Sequence, residues 1–541
     1  MNPQPPVTRM RMAARTSSAE GSAPAEYSPA IAGLRDYLEG WKTRAAEIDW
    51  IPWLILGIAA FLRFLLLGIK PPHFDEGING WFVDQVMHNG FYRYDPTNYH
   101  GPLHFYVLLL SESLFGRNLW ALRLPVVLAS IGCVWLTLKF EPLVGRNVSR
   151  IAALAMAISP GFVFYGRYAI HEVWLVLFTM MFILGLLGLW KSGTTGYLWC
   201  AGMGLAGMIL TKETYIIHLV CAVVAIPVLI VSHLLTRLPD AKAARQTWSY
   251  IDLAMIVGVG AALIVFLYSG AFLNWSGVKG LYVACKAWFQ TGEAGHGHEK
   301  PWYYFVELTA RYELPALAGL VLCIFCQAFK NLSLRYLAIY GVGMLMAYSY
   351  VHYKTPWCII NIVWPFLLTF GAAALLVTAK YRRAVYVISA LLLCYSLSSS
   401  ISLNYFRCTT DTEPYVYVQT YNDMFKLTKP LLTLAKRNPA YYHLTGHLIR
   451  SSVYPLPWVL GDFDRVGYYE GGNMPANLDG DFLLVQEDKI KQVEAKLHGS
   501  YYTEPMRLRN YQEPSKIYFS AKIFKDFFPG KQPDFVGKGP G

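Results

Sequence analysis

Charge is scarce in this chain. Asp, Glu, Lys and Arg make up 15% of its 541 residues, against 55% hydrophobic and 15% aromatic residues, a composition that cannot clothe a water-soluble globule. Cysteine is nearly missing from the polar segments: of nine cysteines only Cys285 and Cys408 fall outside apolar runs, which excludes a disulfide framework. Cys323 and Cys326 lie inside an apolar run and read as small buried hydrophobes rather than a redox pair. There is no fixed-period repeat and no Gly-rich loop of the kind that cradles a nucleotide. Nor is there an apolar stretch close enough to Met1 for a cleaved signal, so the first long apolar run is expected to serve as the anchor.

What is present is a series of apolar segments long enough to cross a hydrocarbon core. They fall near 51–69, 118–139, 150–166, 173–190, 197–211, 215–235, 250–270, 313–329, 335–351, 358–379 and 384–400, and predict an α-helical polytopic membrane protein of about eleven spans. Lys and Arg gather before the first span and in alternate loops, for example Arg146 with Arg150, Lys330 with Arg335, and Lys380 with Arg382 and Arg383. The positive-inside rule makes those loops and segment 1–49 cytoplasmic. The segments 70–117, 167–172, 212–214, 271–312 and 352–357 then face outward, as does the tail from about 401. The expected location is the cell (inner or plasma) membrane, with membrane lipids as partners. The net charge of +12 is accounted for by this bias; nucleic acid would require a basic soluble face instead.

The first 25 or so residues are rich in Ser, Ala, Pro and Arg and read as disordered. The tail, 401–541, gains Asp, Lys, Asn and Gly and shows short alternating runs at Asp481–Val485 and Lys516–Phe519, with a helix predicted over Tyr421–Arg437 and another near Glu487–Leu497. Strands alternating with helices predict a small extracytoplasmic α/β domain.

Polar chemistry is densest in the first outer loop, where Asp75-Glu76 follows the first span and His100 and His104 come later. Two readings of the acidic pair stand side by side: acids near a helix N-terminus stabilise it, and a carboxylate at a membrane surface can take a proton from an acceptor hydroxyl or hold a divalent cation such as Mg²⁺ or Mn²⁺. Arg167 with Glu172, and Lys212-Glu213, sit at the next two outer turns. They form ion pairs or interfacial anchors, or else present cations to an anionic ligand. Lys354 stands among aromatics in His352-Tyr353-Lys354-Thr355-Pro356-Trp357. Three outward cations, Arg167, Lys212 and Lys354, in an architecture that keeps cations inside argue for an anion such as phosphate at the outer leaflet. The loop 271–312 carries His296, His298 and Glu299 among glycines; the glycines predict a mobile loop that orders over substrate. The spacing of these three is not diagnostic of a metal site.

Asp75-Glu76 after the first span, Tyr99-His100-Gly101-Pro102, Arg167 with Glu172, and Lys212-Glu213, together with the outward C-terminal domain, resemble the GT-C membrane glycosyltransferases, which include the protein mannosyltransferases and the aminoarabinose transferases of lipid A. Lys300-Pro301-Trp302-Tyr303-Tyr304, Lys354-Thr355-Pro356-Trp357 and Glu413-Pro414-Tyr415-Val416-Tyr417-Val418-Gln419-Thr420 resemble, more narrowly, a prokaryotic group named for an archaeal flippase-associated N-glycosylation factor. The resemblance spans roughly residues 50–470. It implies a polyprenyl-phosphate-linked sugar donor, a lipid, glycan or protein acceptor on the outer face, and inversion at the anomeric carbon. In that scheme Asp75 is the catalytic base and Glu76 orients it or binds acceptor. Lys354, Arg167 and Lys212 stabilise the departing phosphate more in the transition state than in the ground state, and His100, His104, Glu172, Glu213 and Tyr353 are supporting or acceptor-side residues. An obvious Trp-Trp-Asp motif of oligosaccharyltransferases is missing.

Two other classes fit parts of the pattern. A secondary transporter would show broken helices and ionisable groups near the midplane, whereas here the charges cluster at outer turns. A non-catalytic partner of a lipid-linked-sugar flippase differs in being indifferent to loss of Asp75.

Overall fold

A computed structural model describes residues 49–97, 100–236, 246–294, 297–470 and 473–538. Helices stand at each expected apolar segment. Six of them, Leu119–Val144, Glu172–Ser192, Tyr215–Thr236, Tyr250–Tyr268, Pro356–Leu375 and Ala379–Phe406, are long and apolar enough to cross a membrane. Others are shorter than the sequence implied: Leu314–Cys323 has 10 residues, roughly 15 Å of helix. The count of eleven is therefore not established.

The helices divide by what covers them. Ile359–Gly371 is buried along its whole length, while Tyr215–Thr236, Tyr250–Tyr268 and Arg382–Ile401 leave large apolar side chains such as Leu234, Ile251, Val257 and Leu391 uncovered. In a helix whose backbone groups are satisfied internally, such faces suit lipid. Glu172–Ser192 and Thr195–Thr211 form a tight hairpin. A Cβ on Gly185 would collide with the backbone of Ala201, and one on Gly204 with that of Phe182, so small residues set the close approach of the two helices.

The first outer loop folds into two helices, Phe74–Asn89 and Leu103–Phe115. The first begins with a capping box: the His73 ring accepts from the Asp75 N–H at 3.1 Å, and the Glu76 carboxylate accepts from the His73 N–H at 2.9 Å. It ends at Gly90, whose φ of 79° is the left-handed stop that glycine favours.

The tail carries a six-stranded sheet in the order β2-β1-β3-β5-β4-β6, with β1 Thr445–Ile449, β2 Arg465–Tyr469, β3 Phe482–Gln486, β4 Ser500–Met506, β5 Ser515–Ser520 and β6 Phe535–Val536. β1 runs parallel to β2 and β3, and the remaining pairs are antiparallel. The predicted helix appears as Met424–Arg437 and packs Leu427, Leu431 and Leu434 with Phe482, Leu484 and Phe519. The opposite face gathers Leu483, Val485 and Tyr518 with Val493 and Leu497. β3 is thus buried on both faces, so Phe482–Val485 is a continuous apolar run rather than the alternating one expected. The second predicted helix is reduced to a short 3-10 turn and Ile490–Glu494.

This domain is seated on the helix that carries Asp75. A Cβ on Gly77 would collide with Pro455 and one on Gly80 with the Trp458 ring. Arg117 forks onto Asp84 with two bonds of 2.8 Å and also donates to the Trp458 carbonyl. The connecting segment 415–420 is pinned as well: Tyr165 Oη donates to the Tyr415 carbonyl at 3.2 Å, and Gln419 Nε2 to that of Pro71 at 3.1 Å.

Candidate active site

One cavity of about 500 Å³ is lined by Asp75, His100, His171, Glu172, Lys212, Glu213, His298, Tyr353, Trp357, Tyr417 and Tyr511, among others. Its residues come from the first outer loop, the second and third outer turns, the 297–300 and 352–358 segments, the connecting segment and the C-terminal domain, among others. Two clusters make up its polar lining.

The first surrounds Lys212. A Cβ on Gly101 would collide with the Leu210 carbonyl, so only glycine lets the first loop close on the third turn. There the Gly101 N–H donates to the Thr211 carbonyl at 3.0 Å, and His100 and Lys212 form an isolated β-bridge. Lys212 Nζ forms a short ion pair with Glu172. Burial disfavours its charge, but Glu172 and Glu213 outweigh burial and hold its pKa above the ordinary lysine value. His100 Nδ1 lies 3.2 Å from Glu213 Oε2. The His171 ring sits between those of His100 and His104, with centroids 4.5 and 4.3 Å away. Burial pushes His104 down to about 3 and His171 well below the usual imidazole range, so both are neutral.

The second cluster surrounds Asp75, whose side chain remains one-third exposed with Oδ2 3.9 Å from His73 Nδ1. His73 Nε2 bonds the Tyr417 carbonyl at 2.8 Å, which fixes the ring next to the acid. Asp75 lies within electrostatic reach of His298, Tyr417, Arg509 and Tyr511. The Tyr417 hydroxyl and His298 Nδ1 are 2.7 Å apart, and the His298 and Tyr353 rings 4.7 Å apart. The segment holding His298 is tied down: the Lys354 N–H donates to the His298 carbonyl at 3.0 Å, and Glu299 bridges Tyr353. His296 lies outside the described residues. Among the described residues no group of three or more His, Cys, Asp or Glu is arranged to hold a metal ion.

Several residues singled out in the sequence stand elsewhere. Glu76 is fully buried, and its two oxygens are taken by Arg123 and by the N–H groups of His73 and Ala169. That geometry suits a brace rather than a reacting acid. Arg167 does not pair with Glu172; its guanidinium donates to the carbonyls of Leu62 and Leu66 at 3.1 and 2.7 Å and lies over the Tyr405 ring. It closes the open end of the first helix and does not line the cavity. Lys354 adjoins the cavity through Tyr353 and Thr355, with its ammonium turned onto the Val351 carbonyl. His104 lies behind His171, and its Nε2–H donates to the Ala169 carbonyl at 3.2 Å.

Other residues of the site had not been singled out. Arg123 carried a signal, being a charged residue inside an apolar span. Tyr511 and Arg509 carried none, because only the docking of a domain more than 400 residues away in sequence brings them beside Asp75.

The fold is GT-C-like. It is similar to ArnT from Cupriavidus metallidurans bound to undecaprenyl phosphate, with a TM-score of 0.60 and 14% identity over 86% of this chain and 97% of that one. AglB from Archaeoglobus fulgidus, in complex with an inhibitory peptide and a dolichol-phosphate, matches with a TM-score of 0.50 and 11% identity over 84% of this chain and 72% of that one. At these identities the likeness is one of fold. In sequence, the family described as dolichyl-phosphate-mannose-protein mannosyltransferase matches residues 99–268. YkcB of Bacillus subtilis (strain 168), provisionally designated a mannosyltransferase, is 28% identical over 152 residues, 26% of this chain. YycA of the same organism, with the same designation, is 32% identical over 84 residues, 14% of this chain. The chain thus spans only 20% and 12% of the lengths of those two relatives.

Proposed function

We propose that this protein is a membrane glycosyltransferase that moves a sugar from a polyprenyl-phosphate donor to an acceptor hydroxyl at the outer face, with inversion. The observation that carries this reading is that Asp75 and Lys212, 137 positions apart in sequence, line one cavity in a GT-C-like fold. The bound lipid phosphates of ArnT and AglB and the mannosyltransferase designation of the relatives support the donor class.

In the proposed step the acceptor oxygen forms a bond to the anomeric carbon while the bond from that carbon to the phosphate oxygen breaks. The bonding pair leaves with the lipid phosphate, and Asp75 takes the acceptor's proton. Charge grows on the departing phosphate, so a cation fixed beforehand beside it lowers the barrier. Lys212, oriented by Glu172, fills that role, with Lys354 adjoining. Glu76, through Arg123, sets the helix that presents Asp75, and the aromatic wall of Trp357, Tyr417 and Tyr353 excludes water from the reacting carbon.

The test is Asp75→Asn in the purified protein. Release of free lipid phosphate from a panel of polyprenyl-phosphate sugars should fall at least about a hundredfold, with donor affinity kept. A non-catalytic flippase partner would bind the lipid, release nothing and be indifferent to the substitution.

A further inference from the structure

Beside Lys212 the cavity-lining residues Glu213, His171 and Thr214 each hold a buried polar atom without a hydrogen-bond partner, Oε1, Nε2 and Oγ1 in turn, and the first two residues both adjoin His100. The exposures of Glu213 and His171 are 4% and 3%. The other Glu213 oxygen is taken by His100, whose ring also lies against that of His171, so the Glu213 and His171 atoms flank one imidazole. A buried polar atom left unsatisfied is costly, and these two mark places where a ligand completes the set.

From this we infer that His171, Glu213 and His100 form the subsite that reads the hydroxyls of the donor sugar, which extends the glycosyl-transfer reading and rests on it. The chemistry selects this occupant. An ionised phosphate has no proton to give the Glu213 oxygen, which can only accept, and a polyprenyl tail leaves both atoms unpaired. A pair of neighbouring sugar hydroxyls satisfies both, one donating to the carboxylate and the other engaging the neutral imidazole, which carries one donor and one acceptor nitrogen. Division of labour follows: Lys212 faces the anionic end of the donor while Glu213 and His171 face its neutral ring. Because such a site rejects an analogue that leaves its polar groups unpaired far more strongly than an apolar pocket rejects a lost methylene, these residues set which sugar is accepted.

The experiment measures binding of undecaprenyl phosphate and of its mannosyl, glucosyl and galactosyl esters to the full-length protein in lipid nanodiscs. At least one ester should bind the native protein more tightly than bare undecaprenyl phosphate. Glu213→Gln and His171→Ala should each reduce that gain about tenfold or more while leaving affinity for bare undecaprenyl phosphate within about twofold. Retention of the bare lipid also reports that the variants are folded. The inference is overturned if no ester outbinds the bare lipid, or if the gain survives both substitutions. A loss confined to free methyl glycosides would assign the subsite to the acceptor and overturn its placement on the donor. Asp75→Asn separates this inference from the reaction itself. If that variant stops turnover while the sugar gain persists in both subsite variants, the subsite falls and the transferase reading stands; if it turns over normally while the gain is lost in them, the reverse holds.

Discussion

Arg123 grips Glu76 through two parallel hydrogen bonds, Nε to Oε1 at 2.8 Å and Nη2 to Oε2 at 2.7 Å, with both side chains fully buried. Burial pushes the Glu76 carboxyl up, but Arg123 and the N–H groups of His73 and Ala169 prevail and hold it below the usual carboxylate range. Removing one partner strands a buried charge, so Glu76→Ala should lower stability by about 3–5 kcal/mol, read as a drop in thermal midpoint. Asp75→Asn, at the one-third exposed neighbour, should leave the midpoint unchanged and stop turnover. A folded-state pKa below the unfolded one stabilises the protein above the unfolded value and loses that contribution as pH falls. Glu76→Ala should therefore matter least in acid. Equal midpoints for native protein and Glu76→Ala at neutral pH would remove the brace from the mechanism.

Lys212 is the cation that the cavity shares with Asp75, and Glu172 holds it in place. Lys212→Met should cut turnover about a hundredfold or more with a smaller change in donor affinity, because the charge matters most when the phosphate departs. Lys212→Arg should recover part of the loss, since a guanidinium keeps the charge but not the compact point geometry. Steady-state kinetics with one donor separates these effects. A loss appearing wholly in KM would assign Lys212 to ground-state binding instead.

The pattern of apolar runs made the helical membrane body legible, because a spanning segment needs only length and hydropathy to declare itself. Lys212, Glu213, His298 and Tyr353 stood out as polar residues at turns between apolar runs, where they could equally have been interfacial anchors, and all four line one cavity. The roles of Glu76 and Arg167 were not. Adjacent residues on a helix point about 100° apart, so Asp75 faces the cavity while Glu76 faces Arg123, and the sequence presents the two as one acidic pair. Whether Arg167 meets a ligand or the carbonyls ending the first helix depends on where Leu62 and Leu66 fall, which is a matter of tertiary structure.

Gly80 lies against the indole of Trp458 where the C-terminal domain meets the helix bearing Asp75. Any larger side chain must displace the ring. Gly80→Leu should cost about 1–3 kcal/mol by overpacking and should also reduce turnover, because the displaced domain carries Tyr511 away from the cavity. Limited proteolysis checks the seating: cleavage between residues 407 and 424 should be faster in the variant. Native turnover and native proteolysis together would show that the domain seats independently of this helix.

Glu112 offers a prediction with a definite pH signature. It lies in the Leu103–Phe115 helix of the first outer loop with 2% of its surface exposed, and neither carboxylate oxygen has a hydrogen-bond partner. Burial pushes its pKa up to about 8, with only partial relief from Arg117, whose guanidinium is already forked onto Asp84, and from the nearby Trp458 indole. In the unfolded chain the group titrates near 4.5. Between those two values the folded state retains a proton that the unfolded state has lost, so stability falls as pH rises through this window and levels off above it. By neutral pH the penalty is on the order of 3 kcal/mol. Glu112→Gln keeps the shape and removes the titration, so the variant should match the native protein near pH 4.5 and become progressively more stable than it toward pH 8. Thermal midpoints of both proteins at three or more pH values across the window decide the matter. Parallel curves would mean that the carboxylate finds a partner in solution, with Arg117 and the Trp458 indole N–H the groups near enough to supply it.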